Sequence, residues 1–271
     1  MSATEGIAPP RLRGEVLATQ IAAVAGRSIR RTLRQPALSI PPLVFPVALM
    51  FVNAAGLELS TLLPGFPTDS FLAFALAVPF VQGALFATMN AGTDLARDVQ
   101  TGFLSRLSLT SMRGSSLLLG QLAGIVALGL VQSIFYIAVG LAAGVDFASG
   151  IGGIGVLLLF SLVVSLGFGA LGSFLALRTG TGEAVQGMFP LLFVFLFISS
   201  MNTPRELIAV DWFRFAATAN PVSYLIECVR TLIIEGWNGR ALALGFGIAI
   251  AIAALSLALA SWALRERMTR T

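Results

Sequence analysis

Few residues in this sequence could carry out covalent chemistry. Histidine is absent, which removes the commonest metal ligand and the usual general base near neutral pH. Cys228 is the single cysteine, so neither an intrachain disulfide nor a multi-cysteine metal site can form. Lysine is absent too, and all 17 basic residues are arginine. A glycine-rich phosphate-binding loop depends on its lysine, so the chain cannot bind ATP in that way by itself. The one charged pair within an apolar stretch is Glu227 and Arg230, at i, i+3. On a helix they are close enough to pair on one face, which lowers the cost of holding both near lipid. No catalytic set and no metal set emerges, and the chain reads as a non-enzyme.

Uncharged polar residues recur in the apolar stretches: Asn53, Gln82, Asn90, Gln121, Gln132, Tyr136 and Gln186. In lipid each must find a partner, so each faces another helix or a cavity. One reading is hydrogen bonding between helices. The other is a weakly polar substrate path, for which Gln82, Asn90, Gln132 and Tyr136 are the candidates. Small residues one turn apart (Gly120 and Gly124; Ser165, Gly169 and Ser173; Gly245, Ala249 and Ala253) let backbones approach closely. They read as packing within the chain, with a subunit interface as the alternative. Phe189, Phe193 and Phe197 form a stripe expected to face lipid.

The elements that position these residues follow from composition. Of 271 residues 56% are apolar and 11% charged, against about a quarter charged in soluble domains. The solvent for that much apolar surface must be largely lipid. The fold class expected is therefore an all-α membrane protein. Residues 1–10 read as a disordered tail rather than a cleavable signal peptide. Residues 11–35 read as an amphipathic interfacial helix, with Arg27, Arg30, Arg31 and Arg34 on its wet side. Six spans follow, Leu38–Leu57, Phe71–Thr93, Ser115–Ala143, Ile151–Leu177, Ala184–Ser200 and Ala241–Leu264, a bilayer needing about 20 residues each. None contains Asp, Glu, Lys, Arg or His, whereas ion-coupled carriers generally need an ionisable group in the membrane.

Arginine placement sets the orientation. With the N-terminus inside, thirteen arginines fall on the cytoplasmic side, and Arg205, Arg214, Arg230 and Arg240 fall outside. Both termini are expected inside. The apolar stretch 222–234 is too short to cross a hydrocarbon core about 30 Å thick. A crossing there would also carry the arginine-rich C-terminus outward. Residues 202–240 are expected to form an outer-side, re-entrant helical element. A net charge of +4 so distributed does not point to nucleic acid.

Two motifs are specific. The stretch 94–113, expected as a cytoplasmic loop, resembles the first cytoplasmic loop of type-2 ABC transporter permeases, especially daunorubicin-resistance-like exporters, through Asp98, Gly102, Arg106 and Arg113. Thr110 and Ser111 stand where that family commonly has a proline. The stretch 219–237 resembles the family's late motif through Asn220, Pro221, Tyr224, Glu227, Arg230 and Gly236. Proline suits the first turn of a helix, so Asn-Pro can end one element and start the next.

The resemblance implies the membrane half of an exporter in a bacterial plasma membrane. A second permease, identical or paralogous, would complete the path. Two copies of a separate ABC ATPase would carry ATP and Mg, docking on 94–113 and the N-terminal helix. A path with few charges suits a hydrophobic or amphipathic cargo, a drug-like molecule or a lipid. An ATP-independent carrier or channel is the alternative.

Overall fold

Prolines decide where several helices of this chain bend and stop. The computed structural model describes residues 36–102 and 114–269, with the isolated positions 22, 25, 26 and 30 before them. Helix α1 (Pro36–Leu57) contains Pro41, Pro42 and Pro46 and runs into a 3₁₀ turn at Glu58–Leu62. Helix α2 (Phe71–Ala75) starts behind Ser70, whose hydroxyl accepts from the Ala73 N–H at 3.3 Å. The chain turns at Leu76 and resumes as α3 (Ala77–Gln100). That break lies just before Pro79, which has no N–H to give the Ala75 carbonyl. Helices α4 (Gly114–Ala142) and α5 (Gly150–Thr179) are long and unbroken. Then come α6 (Gly182–Gly187) and α7 (Phe189–Phe197), parted where Pro190 enters the first turn of α7. After a 3₁₀ turn at Arg205–Leu207 come α8 (Asp211–Ala219), α9 (Pro221–Ile234) and α10 (Gly239–Thr269).

Among the described residues five helices are long and apolar enough to cross a bilayer: Ile40–Leu62, Phe71–Gln100, Leu118–Ala142, Gly150–Thr179 and Gly239–Arg267. Gly182–Phe197 is a shorter apolar stretch. Among the described residues every regular element is helical, and the chain is an all-α, multi-span membrane protein. The expected fifth span, Ala184–Ser200, differs from the continuous helix anticipated for it. Its two pieces reach about 24 Å at 1.5 Å per residue, short of the core thickness. The expected loop 94–113 also differs at its start, because α3 runs on to Gln100 with Leu95, Ala96 and Asp98 buried. The tail 1–10, all but four positions of 11–35, and 103–113 with Arg106 and Arg113 lie outside the described residues.

Helix α5 sits at the centre and packs against α3, α10 and α4. Helix α3 is interior, with 89% of its most apolar window buried, whereas the windows of α1 and α10 are only 22% buried. Those two helices turn side chains such as Val44, Val52, Ile250 and Leu255 outward. Packing rather than water exclusion must hold apolar helices together in lipid. The α3–α5 crossing is so close that a Cβ on Gly172 would stand 1.9 Å from the Thr88 carbonyl oxygen. The small-residue runs are used within the chain: Ser165 meets Gly129, Gly169 meets Ile125, Gly245 meets Cys228 and Ala253 meets Gly167. The phenylalanine stripe is partly internal. Phe193 lies 6.2 Å from the Phe45 ring and Phe189 lies 5.1 Å from Phe86, while Phe197 is exposed.

The bundle has two distinct ends. One core cluster, with Leu95, Leu122, Leu177 and Leu264, lies toward the end of α3 and the start of α4. There Arg178 pairs with Glu266 at 3.0 Å, and Arg267 donates to the Leu177 carbonyl at 2.5 Å. The other cluster, with Phe71, Phe74, Leu157, Leu225 and Leu232, surrounds α9. Residues 202–240 thus occupy the end of the bundle opposite Gly102 and Gly114.

Candidate functional site

The polar centre of the chain is α9, wedged between α3, α5 and α10 at that opposite end. Asn220 is its N-cap, accepting from the Val222 N–H at 2.9 Å, and Pro221 occupies the first turn. The same amide turns back and donates to the carbonyls of Phe195 at 2.5 Å and Ile198 at 2.7 Å. These carbonyls belong to the last turn of α7, where a helix leaves acceptors without intrahelical partners. Ser223 adds a second tie, donating to the Ala217 carbonyl at 2.6 Å and accepting from the Ser200 N–H at 3.1 Å.

Arg230 is buried and spends three donors on backbone. Its Nε donates to the Phe74 carbonyl at 3.3 Å, one Nη to Ser200 at 3.0 Å and the other to Met201 at 3.0 Å. The guanidinium also lies 3.4 Å from the centroid of the Phe74 ring. Ser200 and Met201 follow the end of α7, and Phe74 precedes the α2–α3 break. Irregular backbone at membrane depth survives only where protein groups satisfy it. Arg230 therefore serves both interruptions at once.

The expected pairing of Glu227 with Arg230 does not form. Glu227 instead accepts from Arg205 at 2.6 Å, and the Arg205 guanidinium stacks 4.4 Å from the centroid of the Tyr224 ring. Burial works against the charge on Arg205, and the Glu227 carboxylate outweighs it, so the guanidinium sits above its ordinary range. Tyr224 itself donates to the Thr218 carbonyl at 2.9 Å. At the far end of α9, Gly236 adopts φ +90°, where a side chain is strained, and its N–H closes the helix onto the Thr231 carbonyl at 2.8 Å. The freed carbonyls of Leu232 and Ile233 accept from the Ser149 hydroxyl at 2.6 Å and the Ala148 N–H at 2.9 Å.

All six residues of the late motif thus meet in one structure around α9. Sequence reasoning missed Arg205, Phe74 and Ser149. Arg205 was visible among the four outer arginines, but its partner lies 22 residues away. Ser149 carried no signal.

At the other end Asp98 is buried and accepts from Gln121 on α4 at 2.8 Å, while Gly102 closes α3 with φ +68°. The remaining candidates lie inside the bundle. Tyr136 donates to the Pro42 carbonyl at 2.5 Å and packs edge-on to Phe80 at 5.5 Å. Gln132 and Tyr136 meet beside Gly83; Gln82 is fully buried and Asn90 half-buried. Asn53 reaches Asn202 at 3.5 Å.

A bundle of long apolar helices, closed at one end by the short buried helix α9, defines a multi-span helical membrane protein. The family model for the ABC-2 type transporter matches residues 19–234, and the chain belongs to that family as a type-2 ABC transporter permease. It is also similar to the daunorubicin resistance ABC transporter permease protein DrrB1 of Streptomyces coeruleorubidus, at 28% identity over 171 residues. That match takes in 61% of this chain and 59% of the relative, so the chain spans less than two thirds of the relative's length.

Proposed function

We propose that this chain is the membrane-spanning subunit of an ATP-driven exporter in a bacterial plasma membrane, working with a second permease and with two copies of a separate ABC ATPase. Membership of the ABC-2 family carries the reading. The two unlike ends support it, because the late motif lies at the end of the bundle opposite Gly102 and Gly114, the described residues on either side of the proposed coupling loop. Asp98, Gly102, Arg106 and Arg113 are the proposed coupling residues, and this end and both termini face the cytoplasm. The cargo is hydrophobic or amphipathic, a drug-like molecule or a lipid. The relative's name and the long uncharged runs of the sequence both favour such a molecule.

The experiment is mild-detergent purification from native membranes with mass spectrometry of co-purifying proteins. A stoichiometric ATPase carrying a lysine-containing phosphate loop is the expected result. Arg106→Glu then abolishes transport while leaving membrane insertion intact. Recovery without any such ATPase, together with gradient-driven transport in vesicles holding this chain alone, overturns the reading in favour of an ATP-independent carrier.

A further inference from the structure

The end of the bundle around α9 holds a cavity of about 920 Å³ between α9, the start of α10 and the 204–206 turn. That volume lies in the range of small-molecule sites, about 300–1,000 Å³. Its wall carries charges of both signs: Arg205, Arg230 and Arg240 against Glu206, Glu227 and Glu235.

Most of these groups are engaged. Arg205 and Glu227 pair, Arg230 serves backbone carbonyls, and Glu235 accepts from the Thr231 hydroxyl at 2.8 Å and the Asn238 amide at 3.0 Å. Two of them, Arg240 and Glu206, are exposed and make no ion pair or hydrogen bond among the described residues. A third group is also unsatisfied. The Nε of Arg205 is buried and finds no acceptor among the described residues, although its neighbouring nitrogen is bonded to Glu227. The rest of the Arg205 guanidinium lines the cavity, its side chain 18% exposed, and can meet an acceptor oxygen there.

The remaining wall is apolar. Ala241, Leu244 and Ile248 recur along one side of α10, and Leu244 is exposed on that helix, whose surface otherwise turns outward. One cavity therefore offers two cationic groups for an anionic oxygen, a carboxylate for a cation and an apolar strip leading away along a spanning helix. A purely anionic ligand would meet Glu206 and Glu235, and a purely cationic one would meet Arg240.

We propose that this cavity binds a zwitterionic phospholipid: the phosphate at Arg240 and the Arg205 guanidinium, the ammonium at Glu206, and an acyl chain along Leu244 and Ile248. The site belongs to this chain alone and does not depend on its pairing with an ATPase.

The test is thermal unfolding of the delipidated, detergent-purified chain titrated with short-chain phosphatidylethanolamine. Diacylglycerol with the same chains, phosphatidylglycerol with the same chains and inorganic phosphate serve as controls. Saturable stabilisation by phosphatidylethanolamine is expected, weaker by phosphatidylglycerol and absent with the other two. Arg240→Gln, at an exposed position, should weaken binding about tenfold, the effect of losing one charge-assisted contact. Ala241→Trp, which sets an indole between the charged wall and the apolar strip and keeps every charge, should do the same. Equal stabilisation by diacylglycerol or by inorganic phosphate overturns the proposal, as does tighter binding of phosphatidylglycerol. Wild-type affinity in both variants, each first checked for the wild-type unfolding temperature without lipid, overturns it as well.

Discussion

The hydroxyl of Tyr136 on α4 donates to the Pro42 carbonyl on α1, 94 residues earlier, across 2.5 Å. In an uninterrupted helix that carbonyl would accept from the N–H four residues on. The residue there is Pro46, which has none. Tyr136 therefore repairs a defect that α1 carries in its own sequence, and it fastens α1 to α4 from a buried position.

This relationship predicts the behaviour of two substitutions. Tyr136→Phe keeps the ring against Phe80 and removes only the donor, leaving a buried acceptor bare at a cost of about 1–3 kcal/mol. Pro46→Ala restores the helical N–H. In the Pro46→Ala background the tyrosine change should therefore cost much less. Reversible unfolding of the four proteins in mixed micelles measures the coupling. Equal costs in the two backgrounds would contradict the assignment.

Arg230 makes the same kind of repair on a larger scale. Arg230→Met strands the carbonyls of Phe74, Ser200 and Met201, for a loss of about 3 kcal/mol or more. Arg230→Lys keeps a charge but not the planar fork that reaches three acceptors, and should fall between. Limited proteolysis near 198–210 should rise in the order wild type, lysine, methionine. An unchanged cleavage pattern in the methionine variant would mean that the carbonyls are satisfied in another way.

The salt bridge at the rim of this element gives a third prediction. Arg205 and Glu227 are largely but not fully buried, with side chains 18% and 25% exposed. Such a pair should show a coupling of about 1–2 kcal/mol, above the surface range. Arg205→Gln, Glu227→Gln and the double variant, compared by thermal unfolding, measure it. Arg205 should retain part of its contribution without Glu227, because its stack on Tyr224 survives. A coupling near zero would mean that the two residues act separately.

The sequence made the helical bundle legible because long uncharged runs are a strong signal. The ends of α4 and α10 lie within a few residues of their apolar runs. The short stretch 222–234 stood out because it is apolar, too short to cross, and carries Glu227 and Arg230. The breaks at Leu76 and Met188 were harder to see. Pro79 and Pro190 mark both, but a run of apolar residues reads as continuous whatever its backbone does. Spacing also misled at Glu227. The i, i+3 interval allows a pair with Arg230, but three unsatisfied carbonyls competed for that guanidinium and won. Nothing local to α9 announces those carbonyls, since they belong to α2 and to the turn after α7. Residues 94–100 read as loop because they are charged, yet one side of that stretch is buried against α4.

The closest helix crossing gives the last prediction. In lipid, helices gain by approaching closely, and a small residue at the contact sets how closely they can come. At Gly172 the obstacle to any side chain is the Thr88 backbone carbonyl, 1.9 Å from where a Cβ would lie, and a Cβ on Gly92 would stand 2.8 Å from the Gly172 carbonyl oxygen. Backbone cannot rotate aside as a side chain can, so Gly172→Ala must push α3 from α5 along the most buried contact of the fold. The expected loss is at least the 1–3 kcal/mol typical of overpacking. Gly155, on the same helix, has nothing within 4 Å of its Cβ position. Gly155→Ala should be neutral, or stabilising by about 0.5–1 kcal/mol through helix propensity alone. Unfolding midpoints of the two variants separate contact from propensity, because both replace glycine with alanine in α5. If Gly172→Ala matched Gly155→Ala, α3 and α5 could not cross as closely as the geometry has them.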